Sequence, residues 1–334
     1  MNAALYQRLL DEVSRSFALC IPQLEPPFRD HVSLAYLLLR VLDTVEDAPF
    51  GSDRLQQQQF DLLRDFLTDK PTRSEVDEFV AAFPGELAER EHHLLAYAYN
   101  LLADAHALPV PVRATIFRTT DRMARGMAAY TRRAERLRLL DVEDVARYCC
   151  FVAGLVGEML TDLWAIGNTE PAPPVVLAYH FGLFLQKVNI LKDQRDDEAA
   201  GRFLVPDRAE LLASLRGDAR GALEYLAALP RRDRGYRTFC AWCLMMGAAT
   251  IAQLDEPKRS HRSETADMLA RTTTIINDNA ALARQFDELL PELPVLPARA
   301  PLAKPESFEW FREALAAPFG DAELQRLGVV RRGR

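Results

Sequence analysis

The chain has 334 residues, 49% of them hydrophobic and 27% charged, which is the balance of a folded protein with material for one large or two ordinary domains. Its 41 basic residues against 48 acidic ones leave a net charge of −7, and this excludes a nucleic-acid binder that relies on a broad basic surface. An anionic ligand would have to be held locally, by a few basic groups or by metal ions.

Apolar residues recur at three- and four-residue spacing, glycine is scarce at 15, and alternating strand patterns are hard to find. The pattern predicts an all-α chain, with helices at about 4–19, 28–47, 54–67, 86–107 and 112–133. Further helices follow at about 142–166, 175–197, 208–229, 231–254 and 263–290. Breakers separate several of them, among them Pro26-Pro27, Pro49, Pro84-Gly85, Pro109 and Pro230. Asp141, with Asp144 three residues on, reads as an acidic N-terminal cap. No Gly/Ser linker divides the first 290 residues, so residues 1–290 read as one helical domain. Residues 291–334 read as a connector carrying Pro291, Pro294, Pro297, Pro301 and Pro305, then a short helix near 308–317 and a tail.

Two helices break the rule that charge stays outside. The segment 32–45 is apolar nearly all round, yet Tyr36, Arg40, Asp43 and Asp47 follow at spacings of four, three and four and share one face. Glu46 adds a carboxylate beside them. Gln186, Asn189, Asp193 and Asp197 repeat the arrangement on the helix at 175–197, again among apolar residues. Ionised groups on a buried helix are costly unless paired or metal-bound, so each stripe should face an internal cavity. One Asp-x-x-x-Asp pair alone is usually solvated surface, but two pairs that each end an apolar helix indicate a site. Carboxylates suit Mg²⁺, which takes one or two of them together with waters and phosphate oxygens. Facing pairs could hold several Mg²⁺ ions against a diphosphate leaving group, above an apolar cavity fit for a hydrocarbon chain.

At these residues the sequence resembles the squalene/phytoene synthase family. Asp43-Thr44-Val45-Glu46-Asp47 is similar to the first aspartate-rich motif of its squalene-forming members, and Asp193-Gln194-Arg195-Asp196-Asp197 stands in the place of the second. Ser14-Arg15-Ser16-Phe17, Gly126-Met127-Ala128, Tyr148-Cys149 with the block 152–157, and the block 182–187 keep family order as far as Phe239-Cys240-Ala241. The resemblance implies a single-domain, all-α isoprenoid-synthase-type bundle with a central apolar cavity. Two farnesyl diphosphates would condense there, through presqualene diphosphate, to squalene, with Mg²⁺ and NADPH as cofactors.

By the same resemblance Asp43, Glu46, Asp47, Asp193 and Asp197 would bind Mg²⁺. Arg15, Arg40, Lys192 and Arg202 match basic positions that hold diphosphate or the phosphates of NADPH. Ser14, Phe17, Tyr36, Gln186 and Asn189 match cavity positions, and Tyr148 matches a tyrosine linked to proton removal during cyclopropane formation. A downstream Lys-x-Arg element that helps grip the cofactor in eukaryotic members has no clear counterpart in residues 264–274. A non-reductive relative that makes presqualene diphosphate, dehydrosqualene, hydroxysqualene or phytoene therefore stays open, as does a non-catalytic prenyl-lipid-binding protein.

Other signals read as structure. Five cysteines are too few and too irregular for a disulfide scaffold, and Cys240-Ala241-Trp242-Cys243 lies in an apolar helix, so core packing is the expectation. His92-His93 has no ligand spacing, and no G-x-G-x-x-G marks a Rossmann fold. The basic run from Arg132 to Arg138 reads as a solvated helix end, and residues 331–334 as a tail with weak anionic-lipid contact. No uninterrupted apolar stretch reaches the roughly 18 residues of a spanning helix, the nearest being 239–254. With neither a leader nor the C-terminal anchor of eukaryotic members in evidence, the expected setting is cytoplasmic, with peripheral membrane contact for product release.

Overall fold

The helical periodicity is realised throughout the computed structural model, which describes residues 3–14, 16–133, 137–254, 262–290, 292–293 and 307–326. In the first half, α1 (Ala3–Val13), α2 (Phe17–Cys20), α3 (Phe28–Asp47) and α4 (Asp53–Thr68) are followed by α5 (Arg73–Ala81), α6 (Glu89–Ala96), α7 (Ala98–His106) and α8 (Val110–Thr131). The second half holds α9 (Val142–Cys149), α10 (Leu155–Ile166), α11 (Val175–Ala199), α12 (Arg208–Ala228) and α13 (Arg234–Ala252). Then come α14 (Arg262–Thr274), α15 (Asn279–Leu289), α16 (Phe308–Ala316) and α17 (Asp321–Arg326). Among the described residues there is no strand, only one isolated parallel bridge between Arg138 and Phe203.

Local chemistry explains where the helices depart from their expected extents. The first divides at Ser14, whose Oγ accepts the Phe17 backbone N–H at 3.0 Å and starts a new turn. The stretch 86–107 breaks at Tyr97, and 263–290 breaks before Asp278, whose carboxylate caps the next helix by accepting from Ala281 N at 3.0 Å. Helix α5 was not expected from periodicity, yet Thr72 and Glu75 form a reciprocal capping box at its start. Asp141 caps α9 as expected, accepting from Asp144 N at 2.8 Å. Of the proline-rich segment only 292–293 are described, so the expected connector, like the 331–334 tail, lies outside the described residues. The helix beyond it packs inward: Phe311 is buried, 5.1 Å from the Tyr179 ring and 4.9 Å from His180.

Two helices occupy the centre. Helix α3 touches α1, α4, α6, α7, α8 and α10, while α11 is surrounded by α9, α10, α12, α13 and α16. Between α9 and α10 the chain makes one π-helical turn, Cys150–Gly154, which redirects the helix just after Tyr148. That helix lies flush on α11 because the crossing is built of glycines. A Cβ on Gly182 would sit 2.2 Å from Ala153 O, and one on Gly157 would sit 2.1 Å from Ala178 O. The run Val142–Ile166 is long and apolar enough to cross a membrane by length and composition. Its most apolar stretch is also mostly buried within the bundle, as a core helix must be.

Candidate active site

The stripe on α3 is accessible although helices enclose α3. Asp43 and Asp47 keep 25% and 43% side-chain exposure, while their neighbours Leu42 and Val45 have none. Solvent therefore reaches one face of a central helix along the stripe, at the place where the recess is expected. Asp43, Glu46 and Asp47 fill the last turn of α3, and Asp193, Asp196 and Asp197 stand near the end of α11, with no basic residue in either last turn. The helix dipole is negative at a C-terminus, so both ends add to the field of their carboxylates. Gln56 on α4 steadies the end of α3 by donating to Val45 O and Glu46 O, both at 2.8 Å.

Each carboxylate is managed differently. Arg40 donates to Asp43 Oδ2 at 2.8 Å; burial pushes Asp43 up, and Arg40 opposes that. Lys192 lies 3.1 Å from Asp193, both side chains about half exposed. Arg202 bridges the two helices, donating Nη1 to Asp47 Oδ1 and Nη2 to Asp197 Oδ1, the latter at 2.6 Å. Burial, opposed by Arg202, raises Asp197. Glu46 is the exception. It accepts from the Tyr148 hydroxyl at 3.0 Å, but its Oε1 is buried with no partner. Burial and the neighbouring Asp47 and Asp43 hold its carboxyl well above the usual range. Tyr148 is buried too, its ring 5.2 Å from Tyr130, and burial beside Glu46 keeps its hydroxyl protonated far above its ordinary value.

Not every expected residue joins this cluster. Phe17 and Tyr36 form one wall, with ring centroids 5.2 Å apart and Phe239 6.3 Å from Phe17, and Ser14 hydrogen-bonds Tyr36. Gln186 is half-buried on α11, while Asn189 and Lys192 are exposed one and two turns further along. Arg15 lies outside the described residues. Gln56 and the bridge holding Phe203 were missed, because each reaches across to another element rather than along its own helix. The cysteines behave as expected of core residues: all five are buried and free, and burial pushes the Cys149 thiol up to about 12.

The donor set fits Mg²⁺. A buried carboxylate oxygen without a partner, hard oxygen ligands on two helices and two negative helix ends all favour a small hard cation. Among the described residues no three such groups converge closely enough to enclose an ion unaided. This suits a metal that keeps waters and takes phosphate oxygens from its substrate. For a nicotinamide dinucleotide, Arg40, Lys192 and Arg202 are cations at the recess that could meet phosphates, without a Rossmann turn.

The all-α bundle, with carboxylates at the ends of its two central helices, has an isoprenoid-synthase type of fold. A solved structure of TcSQS in complex with the ligand BPH1237 superimposes with a TM-score of 0.72 at 23% identity, covering 98% of this chain and 99% of that one. A ligand complex of a dehydrosqualene synthase gives 0.54 at 18% identity over 82% and 95%. The sequence pattern of the squalene/phytoene synthase family matches residues 10–210, and the chain belongs to that family. It is 33% identical over 278 residues to the squalene synthase of Eremothecium gossypii, spanning 73% of this chain and 60% of the relative. The squalene synthase of Candida albicans is 32% identical over 288 residues, spanning 76% and 62%. The chain thus spans about three-fifths of the length of these curated relatives.

Proposed function

We propose that this chain is a prenyltransferase that joins two farnesyl diphosphates head to head, through presqualene diphosphate, and completes the reduction to squalene with Mg²⁺ and NADPH. The observation that carries the reading is the junction of the two carboxylate motifs, by Arg202 across α3 and α11, beside the buried Tyr148–Glu46 pair. Identity to squalene synthases from two fungi supports the same substrate class. Intact carboxylates at five positions weigh against a merely lipid-binding protein.

Asp43, Glu46, Asp47, Asp193 and Asp197 would hold Mg²⁺, which when bound neutralises charge on the departing diphosphate. Arg40 and Arg202 would bring guanidinium groups to that charge. Phe17, Tyr36 and Phe239 present faces without nucleophiles, so a carbocation there meets the second prenyl chain rather than water. Closing the cyclopropane requires loss of a proton. The Tyr148 hydroxyl donates to Glu46, which fixes its oxygen; that oxygen would take the proton lost on ring closure as its own proton leaves, with the departing diphosphate as the final acceptor. Bound NADPH would supply the hydride for the reduction of presqualene diphosphate, and Arg40 and Lys192 would meet its phosphates.

Incubation with farnesyl diphosphate and Mg²⁺, with and without NADPH, tests the whole reading. Squalene carrying label from the reduced nicotinamide is the expected product. Dehydrosqualene, hydroxysqualene or phytoene at millimolar NADPH, with no label transferred, would replace it with the non-reductive reading. The loss of one hydroxyl in Tyr148→Phe is expected to slow presqualene diphosphate formation about 10²-fold while leaving KM within a few-fold. Equal rates in single-turnover assays would reduce Tyr148 to packing. Peripheral contact with a membrane belongs to the same proposal, since a C30 hydrocarbon needs an apolar acceptor.

A further inference from the structure

The carboxylates of the recess must be kept stable before any ligand arrives. Asp43 and Asp193 are each neutralised from within their own helix, by Arg40 and Lys192. Asp47 and Asp197 share a single cation, and that cation belongs to neither helix. Arg202 follows α11 in a turn made by Gly201 at φ +78°, and its backbone N–H donates to Asp197 O at 2.8 Å. The next residue is clipped in place: Phe203 N donates to Leu137 O, and Leu139 N to Phe203 O, both at 3.0 Å. The Arg138 guanidinium lies 4.0 Å over the Phe203 ring. Leu137 itself sits at φ +48°, a conformation that a leucine adopts only when its surroundings impose it. Nε of Arg202 is buried without a partner, so both ends of its fork are committed to the two carboxylates.

We propose that Arg202 is an internal latch, a protein cation standing between the two motifs that metal and diphosphate displace together. The inference rests on the reading of Asp47 and Asp197 as metal ligands and adds how their occupancy is controlled. A divalent ion arriving alone must strip both carboxylates from a guanidinium and leave it unpaired in a half-buried place, which costs most of what the ion gains. A metal–diphosphate complex exchanges without that loss, because the carboxylates take the metal and Arg202 takes phosphate oxygens. Binding of the two is therefore coupled, and the coupling is reciprocal.

Manganese is a paramagnetic stand-in for magnesium, so free Mn²⁺ can be counted by electron paramagnetic resonance in titrations of the full chain. Wild type, Arg202→Gln and Arg202→Lys are compared. Both variants are expected to bind Mn²⁺ alone about tenfold more tightly than wild type, the size of one lost charge-assisted contact. Arg202→Lys decides the mechanism, since it keeps the charge but cannot reach both carboxylates. Wild-type affinity in the lysine variant would show that net charge alone matters and would overturn the latch. Equilibrium dialysis of the manganese–pyrophosphate complex forms the second arm, and wild type should retain it better than Arg202→Gln. Retention by wild type with unchanged Mn²⁺ affinity in both variants rejects the latch and leaves the metal site standing. Failure of the complex and of Mn²⁺ to bind any of the three rejects both. Should either Arg202 variant misfold, Arg138→Ala, which loosens the clip on Phe203, is expected to raise Mn²⁺ affinity a few-fold, and no change there overturns the latch.

Discussion

Asp43→Asn and Asp193→Asn are each expected to lower turnover of farnesyl diphosphate by about 10³-fold or more, the scale of losing a charge that stabilises the transition state. The fold should survive both changes. Asp43 makes one ion pair, with Arg40 at 2.8 Å, and an asparagine oxygen can still accept that hydrogen bond. Asp193 is 45% exposed and, among the described residues, pairs with its neighbour Lys192, so its replacement opens no cavity. What each variant loses is a unit of negative charge at the recess. Thermal melts should stay within a few degrees of wild type while the Mg²⁺ concentration for half-maximal rate rises. Rates within a few-fold of wild type for both, with Mg²⁺ still required, would remove these residues from the metal site.

The reason Asp43 could be picked out of the sequence is that a buried helix tolerates charge only at a purpose-built place. The extent 28–47 and the stripe 36/40/43/47 coincide with α3 and its accessible face, because apolar periodicity and a following Pro49 state both locally. The second stripe was legible for the same reason. Pairing was not. Tyr148 and Glu46 are 102 residues apart, and Arg202 and Asp47 are 155 apart, so no local spacing announces either contact. Breaks inside long helical patterns were also hidden, since Tyr97 and residues 275–278 contain neither proline nor glycine. Helix α5 carried its signal in Thr72 and Glu75, but nine residues are too few for periodicity to rise above its surroundings. The π turn at Cys150–Gly154 answers to the crossing with α11 rather than to its own residues.

Burial of charge away from the recess was the least legible feature, and it sets the largest expected stability effect: Asp218→Asn should destabilise the fold by about 3–5 kcal/mol. Lys187, one residue beyond the cavity candidate Gln186, lies on a different face of α11 and is 1% exposed in the contact between α11 and α12. Its Nζ donates to Asp218 Oδ2 at 2.5 Å and to Ser214 Oγ at 2.7 Å, while His180 Nδ1 lies 2.9 Å from Asp218 Oδ1. Burial pushes the Asp218 carboxyl up, but the charge of Lys187 and the contact with His180 outweigh it and hold the group below the usual carboxylate range. A carboxyl depressed in this way stabilises the fold above its unfolded value near 4 and loses that contribution only as pH falls through the lower folded value, so the full effect is present at neutral pH. Asparagine leaves Lys187 charged and uncompensated in the core. Urea unfolding at pH 7 measures the difference, and a shift below about 1 kcal/mol would mean that the lysine escapes to water. Replacing both partners, as Lys187→Met with Asp218→Leu, should recover part of the loss, because an apolar pair carries no desolvation penalty. Once folded, Asp218→Asn should turn over substrate at nearly the wild-type rate at low temperature, since Asp193 and Asp197 pair with Lys192 and Arg202 and make no contact with this pair.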